Sequence, residues 1–301
     1  MTFSNVFGLA LLMAGTALAV EPTALRETAL FPQNATPAKT EPTLLKLVVG
    51  VNDVYCKDSS CKCIEKIATR QYGEFCRQLK KRYNIEVEFV YFLEPYELDK
   101  AFRAGKFDAV LCKPWLVFQH SVGRSEGLAR VADLQDLHGD IGLWGMVIVP
   151  TNSAITKLSE LSGRRIVYGQ RDAYEKHQAA LELFQREGIK ISQDKLVEKA
   201  SCLECLDLLM KDSVDAAIIS NYALTADCAV DVTTPESFRV IGRTETIPLT
   251  SFMIDLKRLS RDDAIRVQKA LIALSQDGLP ASMCGGGFVK PASWKVPSAT
   301  P

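Results

Sequence analysis

The stretch from Ala101 to Trp115 constrains the fold of this chain more than any other. It reads as a short helix stopped by Gly105, a short apolar strand ending at Cys112, and an abrupt turn through Lys113, Pro114 and Trp115. The pattern returns from Leu206 to Tyr222: a helix, a brief turn, Asp215-Ala216 where the first copy has Asp108-Ala109, a buried strand, and the polar tip Ser220, Asn221, Tyr222. Two copies of one α/β unit predict two lobes facing each other. Ligands of open parallel sheets bind outside the carboxyl ends of the strands, so both tips are expected to line a cleft. The competing reading is a chance echo, since Asp-Ala before an apolar run is common.

A chain of 301 residues, 47% hydrophobic, is long enough for two domains with real cores. Lys plus Arg and Asp plus Glu balance at 36 each, so no electrostatic footprint for nucleic acid or a membrane surface is present. A charged ligand has to be held by local groups.

The apolar run Val6 to Ala19 ends in the small-x-small pattern Ala17-Leu18-Ala19 and predicts an export signal over residues 1–19, although no Lys or Arg precedes it. The run is too short for a comfortable membrane span. Residues 20–44, with four prolines, read as a flexible tether. In an exported chain the nine Cys are expected to form disulfides more readily than metal sites. Nine is odd, so one thiol is left over, and spacing does not fix the pairing.

Alternation of strands and helices places lobe one over 45–145, lobe two over 146–249 and a return segment of lobe one over 250–283, before a flexible tail over 284–301. Leu45 to Val51 reads as a buried parallel strand, Ile85 to Tyr91 as the next, and Ser260 with Asp263 as a helix N-cap. Ile141 to Val149 reads as one long apolar strand crossing between lobes. Strand-helix alternation of this kind makes each lobe a doubly wound sheet.

This order of parts resembles the type II periplasmic solute-binding proteins, most closely their phosphate, phosphite and phosphonate branch. The resemblance runs from Leu45 to Ser275 and is carried by Phe107 to Pro114, Leu158 to Tyr168, and Val214 to Asn221. It implies an α/β fold of two lobes joined by two hinge crossovers. The implied function is that of a monomeric, periplasmic receptor, not an enzyme, that closes on a small anionic solute and presents it to an ABC permease or a membrane sensor kinase. No cofactor, metal or catalytic residue is implied.

The predicted ligand-binding set is Asp53 and Tyr55 at the first strand tip, Tyr96, Cys112, Lys113 and Trp115 at the first unit's tip, Gln170, Arg171, Tyr174 and His177 at the lobe-two helix start, and Asn221 with Tyr222. Where relatives offer hydroxyls and a helix N-terminus to an oxyanion, this chain has Gln170 to Tyr174. Arg171 is suited to clamp an anion through its planar fork, while Asp172 opposes it. Tyr55, Trp115, Tyr174 and Tyr222 are either aromatic walls or lobe packing. His177 on an apolar face is either a satisfied core histidine or a ligand, and His120 and His138 read as surface or loop residues.

Cysteines open two alternatives. Cys112 beside Lys113 is either a small core residue, half of a disulfide, or a thiolate for a soft metalloid, as the resemblance to arsenite sensors of this fold implies; as a nucleophile it lacks an adjacent His and carboxylate. Cys202-Leu-Glu-Cys205 at a helix start suggests a thiol-disulfide oxidoreductase, or a structural bridge involving Cys228. Cys284 is expected to pin the tail to lobe one.

Overall fold

The computed structural model describes residues 43–60, 68–118, 127–225 and 233–295, and all of them belong to one compact unit. The predicted export signal, Cys61, Cys63, His120 and Cys228 lie outside the described residues.

The first half runs β1 (Leu45–Val51), α1 (Gly73–Tyr83), β2 (Ile85–Tyr91), α2 (Pro95–Arg103), β3 (Ala109–Cys112), α3 (Pro114–Phe118) and β4 (Leu128–Leu134). After β5 (Gly142–Leu143) come β6 (Gly145–Pro150), β7 (Ile166–Gly169), α4 (Gln178–Arg186), β8 (Leu196–Lys199), α5 (Cys202–Met210), β9 (Ala216–Ser220) and β10 (Phe238–Arg243). The chain returns through β11 (Ile247–Pro248), β12 (Thr250–Asp255), α6 (Arg261–Gly278) and β13 (Phe288–Val289).

These strands form two separate main sheets. One has the order β13-β4-β12-β3-β1-β2, the other β10-β6-β9-β7-β8. In each, three parallel strands run in the order second, first, third, and an antiparallel strand from elsewhere in the chain closes on the third. The echo in sequence is therefore an echo in topology. β3 and β9 are the third parallel strands of their sheets, and both are buried along their whole length.

Local rules explain the punctuation. Pro95 sits in the first turn of α2, where its missing N–H costs nothing, and Gly105 past its end has φ +72°. Ser201 and Glu204 form a reciprocal capping box on α5. Ser260 caps α6 by accepting the Asp263 amide hydrogen bond at 3.1 Å.

Each sheet buries both faces. Leu47, Val49, Val51 and Leu111 point toward α1 and α6, while Val110 and Cys112 point toward α2 and α3. Full burial of side chains such as Val110 and Leu111 contributes about 1.5–3 kcal/mol each. The second cluster also takes in Leu143, Tyr174, Ala179 and Ile247, so apolar packing is continuous from one sheet's domain into the other.

Two differences from the sequence reading stand out. The run from Ile141 is not one strand: β5 pairs antiparallel with β11 in a two-stranded ribbon, and the chain breaks at Trp144 before β6 begins. This ribbon is the pair of crossovers joining the lobes. Residues 285–295 are not a loose tail either. β13 pairs antiparallel with β4, and Trp294 stacks edge-on against Phe118 with centroids 5.8 Å apart. Gly286 lies so close to Arg70 and the Gln135 carbonyl that a Cβ there has no room. The glycines permit a tight return, where composition alone suggested flexibility.

Candidate functional site

The carboxyl ends of the two parallel strand sets meet around one buried charge cluster. From the first lobe, the turn after β3 supplies Lys113. From the second, a 3-10 turn at Tyr174–Lys176 supplies Glu175 and Lys176. Lys113 Nζ lies 3.1 Å from Glu175 Oε1, an ion pair that bridges the lobes. Ser220 at the end of β9 donates its hydroxyl to the same oxygen at 2.7 Å. Lys176 Nζ donates to the Ala200 carbonyl at 3.1 Å and lies 3.7 Å from Cys202 Sγ.

All three charges are held in their ionised forms. Burial pulls the Lys113 ammonium down, but Glu175 and Tyr222 outweigh it and leave it above its ordinary range. Burial likewise opposes the Lys176 charge, and Cys202 and Glu175 more than compensate. For Glu175, burial pushes the carboxyl up, yet Lys113 and Lys176 bring it below the usual carboxylate range. Glu175 has no exposed surface, and its second oxygen, Oε2, has no hydrogen-bond partner. A buried carboxylate oxygen without a donor is uncommon enough to call for a physical account.

Aromatic rings enclose the cluster. Trp115 packs on Tyr174 across the lobes with centroids 4.4 Å apart, and its indole N–H is also buried without a partner. Lys113 Nζ sits 5.8 Å from the Tyr222 ring centre, and Tyr222 meets Tyr55 edge-on at 6.3 Å. Of the predicted residues, Tyr55, Lys113, Trp115, Tyr174 and Tyr222 are thus brought together.

The others stand elsewhere. Asp53 is fully buried and accepts from Arg70 Nη1 at 2.9 Å and the Tyr72 hydroxyl at 2.7 Å; it organises lobe one internally. Arg70 in turn donates to the carbonyls of Gln135 and Met283, pinning the returning chain. Asn221 spends its side chain on the crossover, accepting from the Trp144 amide and donating to the Gly142 carbonyl. His177 Nδ1 is 2.6 Å from the Gly169 carbonyl and its ring stacks on Tyr168, so it is a satisfied core histidine. Gln170, Arg171 and Tyr96 are exposed; Arg171 does not enter the cluster, whose cations are Lys113 and Lys176.

Cys112 is a core residue. Its side chain has no exposed surface, and burial, with Asp99 nearby, raises its thiol far above the ordinary value, which disfavours the thiolate that metal binding or nucleophilic attack requires. Cys205 is buried and its thiol is pushed up to about 12, chiefly by burial, which disfavours the thiolate that a dithiol mechanism needs. Among the described residues no disulfide is formed, and Cys56, Cys76, Cys112, Cys202, Cys205 and Cys284 are free thiols. Cys284 Sγ instead lies 3.2 Å from the Thr69 hydroxyl in lobe one.

Sequence reasoning missed Glu175, Lys176 and Thr244, and it named Ser220 only as part of a strand tip and Cys202 only as half of a dithiol. An α-helix opening at Tyr174 places Glu175 and Lys176 on its wet side. The first turn is 3-10, with His177 at φ −116° and ψ −90° before α4 begins, and the changed phase turns both charges inward. Thr244 then locks that turn: its hydroxyl donates to the Glu175 carbonyl at 3.0 Å and accepts from the Gly145 amide at 2.7 Å. A Cβ on Gly145 would stand 2.3 Å from the Glu175 carbonyl oxygen, so only glycine fits there.

Two lobes, a paired crossover and a polar cluster where strand ends converge define a type II periplasmic solute-binding receptor, not an enzyme. Residues 65–288 match the model of the ABC transporter phosphonate periplasmic substrate-binding proteins, and the chain belongs to that family. Solved structures agree in fold. A Xanthomonas citri protein bound to ATP superposes with a TM-score of 0.60 at 14% identity, covering 83% of this chain and 92% of its own. PhnD1 of Prochlorococcus marinus, in complex with methylphosphonate, gives 0.58 at 13% identity, covering 83% and 94%. The binding-protein component of an ABC phosphonate transporter from Pseudomonas aeruginosa gives 0.53 at 13%, covering 80% and 77%. No curated protein matches the sequence.

Proposed function

We infer that the chain is an exported receptor that closes on a small anion of the phosphonate or phosphate type and delivers it to an ABC permease or a membrane sensor. The observation that supports this reading is the pairing of two ammoniums, the part-buried Lys113 of one lobe and the buried Lys176 of the other, against the single carboxylate of Glu175. The cluster carries a net positive charge at the place where lobe closure desolvates a ligand, and charge-assisted hydrogen bonds there are the strong kind. Relatives of this family bind phosphonates, PhnD1 among them, which makes a tetrahedral oxyanion the first class to test.

The test is calorimetric titration with phosphate, phosphite, methylphosphonate and an aminoalkylphosphonate. Binding of at least one is expected. Lys176→Ala should weaken it by about 2 kcal/mol, or roughly 30-fold, the cost of one charge-assisted contact. Heatless titrations with all four ligands, or an unchanged affinity in the Lys176 variant, contradict the reading.

A further inference from the structure

Cys202 is the one described thiol that the charge cluster directly engages. It opens α5 at the first helical position, behind the Ser201 cap, and is half-buried while Cys205 one turn on is fully enclosed. Three groups address its sulfur. Lys176 Nζ lies 3.7 Å away, the Ser220 backbone N–H donates from 3.5 Å, and the Ser220 hydroxyl stands at 3.8 Å. Cationic and N–H donors around a cysteine at a helix start are the surroundings in which thiol exchange occurs.

A second, independent feature points to a ligand at the same place. Ser220 joins Cys202 to Glu175, whose Oε2 is completely buried and unpartnered. That oxygen is an acceptor waiting for a donor, and an ammonium is the donor a buried carboxylate holds best. Lys113 and Lys176 are donors suited to an acidic group. The cluster therefore offers a place for a positive group, a place for a negative group, and a sulfur between them.

We propose that Cys202 undergoes reversible thiol-disulfide exchange with small zwitterionic disulfides, those carrying both an amine and a carboxylate. The Cys202 thiol loses its proton to solvent and its sulfur attacks one sulfur of the disulfide. A Cys202–S–S–R bond forms, the original S–S bond breaks, and the other half leaves as a thiolate that takes up a proton. Electrons balance without any further oxidant, and an added thiol reverses the step. Bound this way, the adduct places its carboxylate by the two lysines and its amine by Glu175.

The experiment incubates the full chain separately with cystine, a zwitterion, with cystamine, a dication, and with dithiodiglycolate, a dianion. Intact mass and peptide mapping follow each adduct. Cystine should add one cysteinyl group at Cys202, removable by dithiothreitol, about tenfold or more faster than either of the others, the factor expected from one well-placed charge contact. Cys202→Ser should abolish that adduct and Cys205→Ser should keep it. Failure of cystine to react, first reaction at another cysteine, or equal rates for the three disulfides overturns the proposal. Exchange at Cys202 needs no oxyanion affinity, so its failure leaves the receptor reading standing, and failure of the calorimetry leaves this one standing.

Discussion

Replacing Lys113 by Ala removes the lobe-one half of the bridging ion pair and leaves Glu175 buried with no exposed surface. Breaking a buried pair by deleting one partner costs about 3–5 kcal/mol, because the remaining charge stays desolvated. Glu175 keeps the Ser220 hydroxyl and the field of Lys176, which places the expected loss near the lower end, about 3 kcal/mol. For a chain of this size that is roughly 2 °C per kcal/mol, hence a melting point lower by about 6 °C. Glu175→Gln retains an acceptor for Ser220 but strands both lysines. Combined with Lys113→Met it removes the pair and leaves only Lys176, which keeps the Ala200 carbonyl, so the double variant should lose about 2 kcal/mol less than the two single losses added together.

The pH dependence follows from the two shifts. Glu175 is depressed in the folded state, so its contribution is complete above the ordinary carboxylate range, roughly pH 5 and higher, and fades as pH falls through the lower folded value. Lys113 is raised, so its contribution is complete below about pH 10 and fades only as pH rises through the folded value. The gap between wild type and Lys113→Ala should be flat between those limits and shrink in acid. Urea unfolding followed by tryptophan fluorescence, at several pH values, reads it directly. A Lys113→Ala loss below about 0.5 kcal/mol at pH 7, the size of an ordinary surface substitution, or strictly additive single effects, would refute the account of the cluster as a latch.

Two further outcomes test the surrounding framework. Asp53→Asn strands Arg70, whose guanidinium is raised because Asp53 and Tyr72 overcome its burial; the expected loss is about 3–5 kcal/mol in a denaturant melt, and wild-type stability would show that Asp53 has another role. Cys112→Ser buries a hydroxyl in an apolar site at a cost of about 1–3 kcal/mol while leaving solute affinity in calorimetry unchanged, and a lost affinity would return Cys112 to the binding site.

Much of the architecture was legible because strands and helices announce themselves by period. Val49, Leu111 and Phe75 are apolar where a two-sided sheet and a helix face require it, and Gly105 stops a helix as the residue type predicts. That Lys113, Tyr55, Trp115, Tyr174 and Tyr222 come together followed from their places at strand tips and helix starts. What escaped was set by tertiary context. A single 3-10 turn rotated Glu175 and Lys176 inward, a change of phase that no local pattern signals. Asn221 was recognisable as a polar tip, but its partners Trp144 and Gly142 lie 77 and 79 residues away in sequence. Gly286 looked like slack until Arg70 arrived beside it from the far end of the chain.

The Thr244 hydroxyl and the Asn221 amide together fix how the first crossover is fastened. Thr244 welds Gly145 to the turn bearing Glu175, and Asn221 ties Trp144 and Gly142 to the end of β9. The first crossover from Gly142 onward is therefore hydrogen-bonded to the second lobe, and the next tie toward the first lobe is the 2.8 Å hydrogen bond from the Leu249 amide to the Ile141 carbonyl. Glu175, Lys176 and Cys202 share one anchored body, and Lys113 is the charge that reaches them from the other.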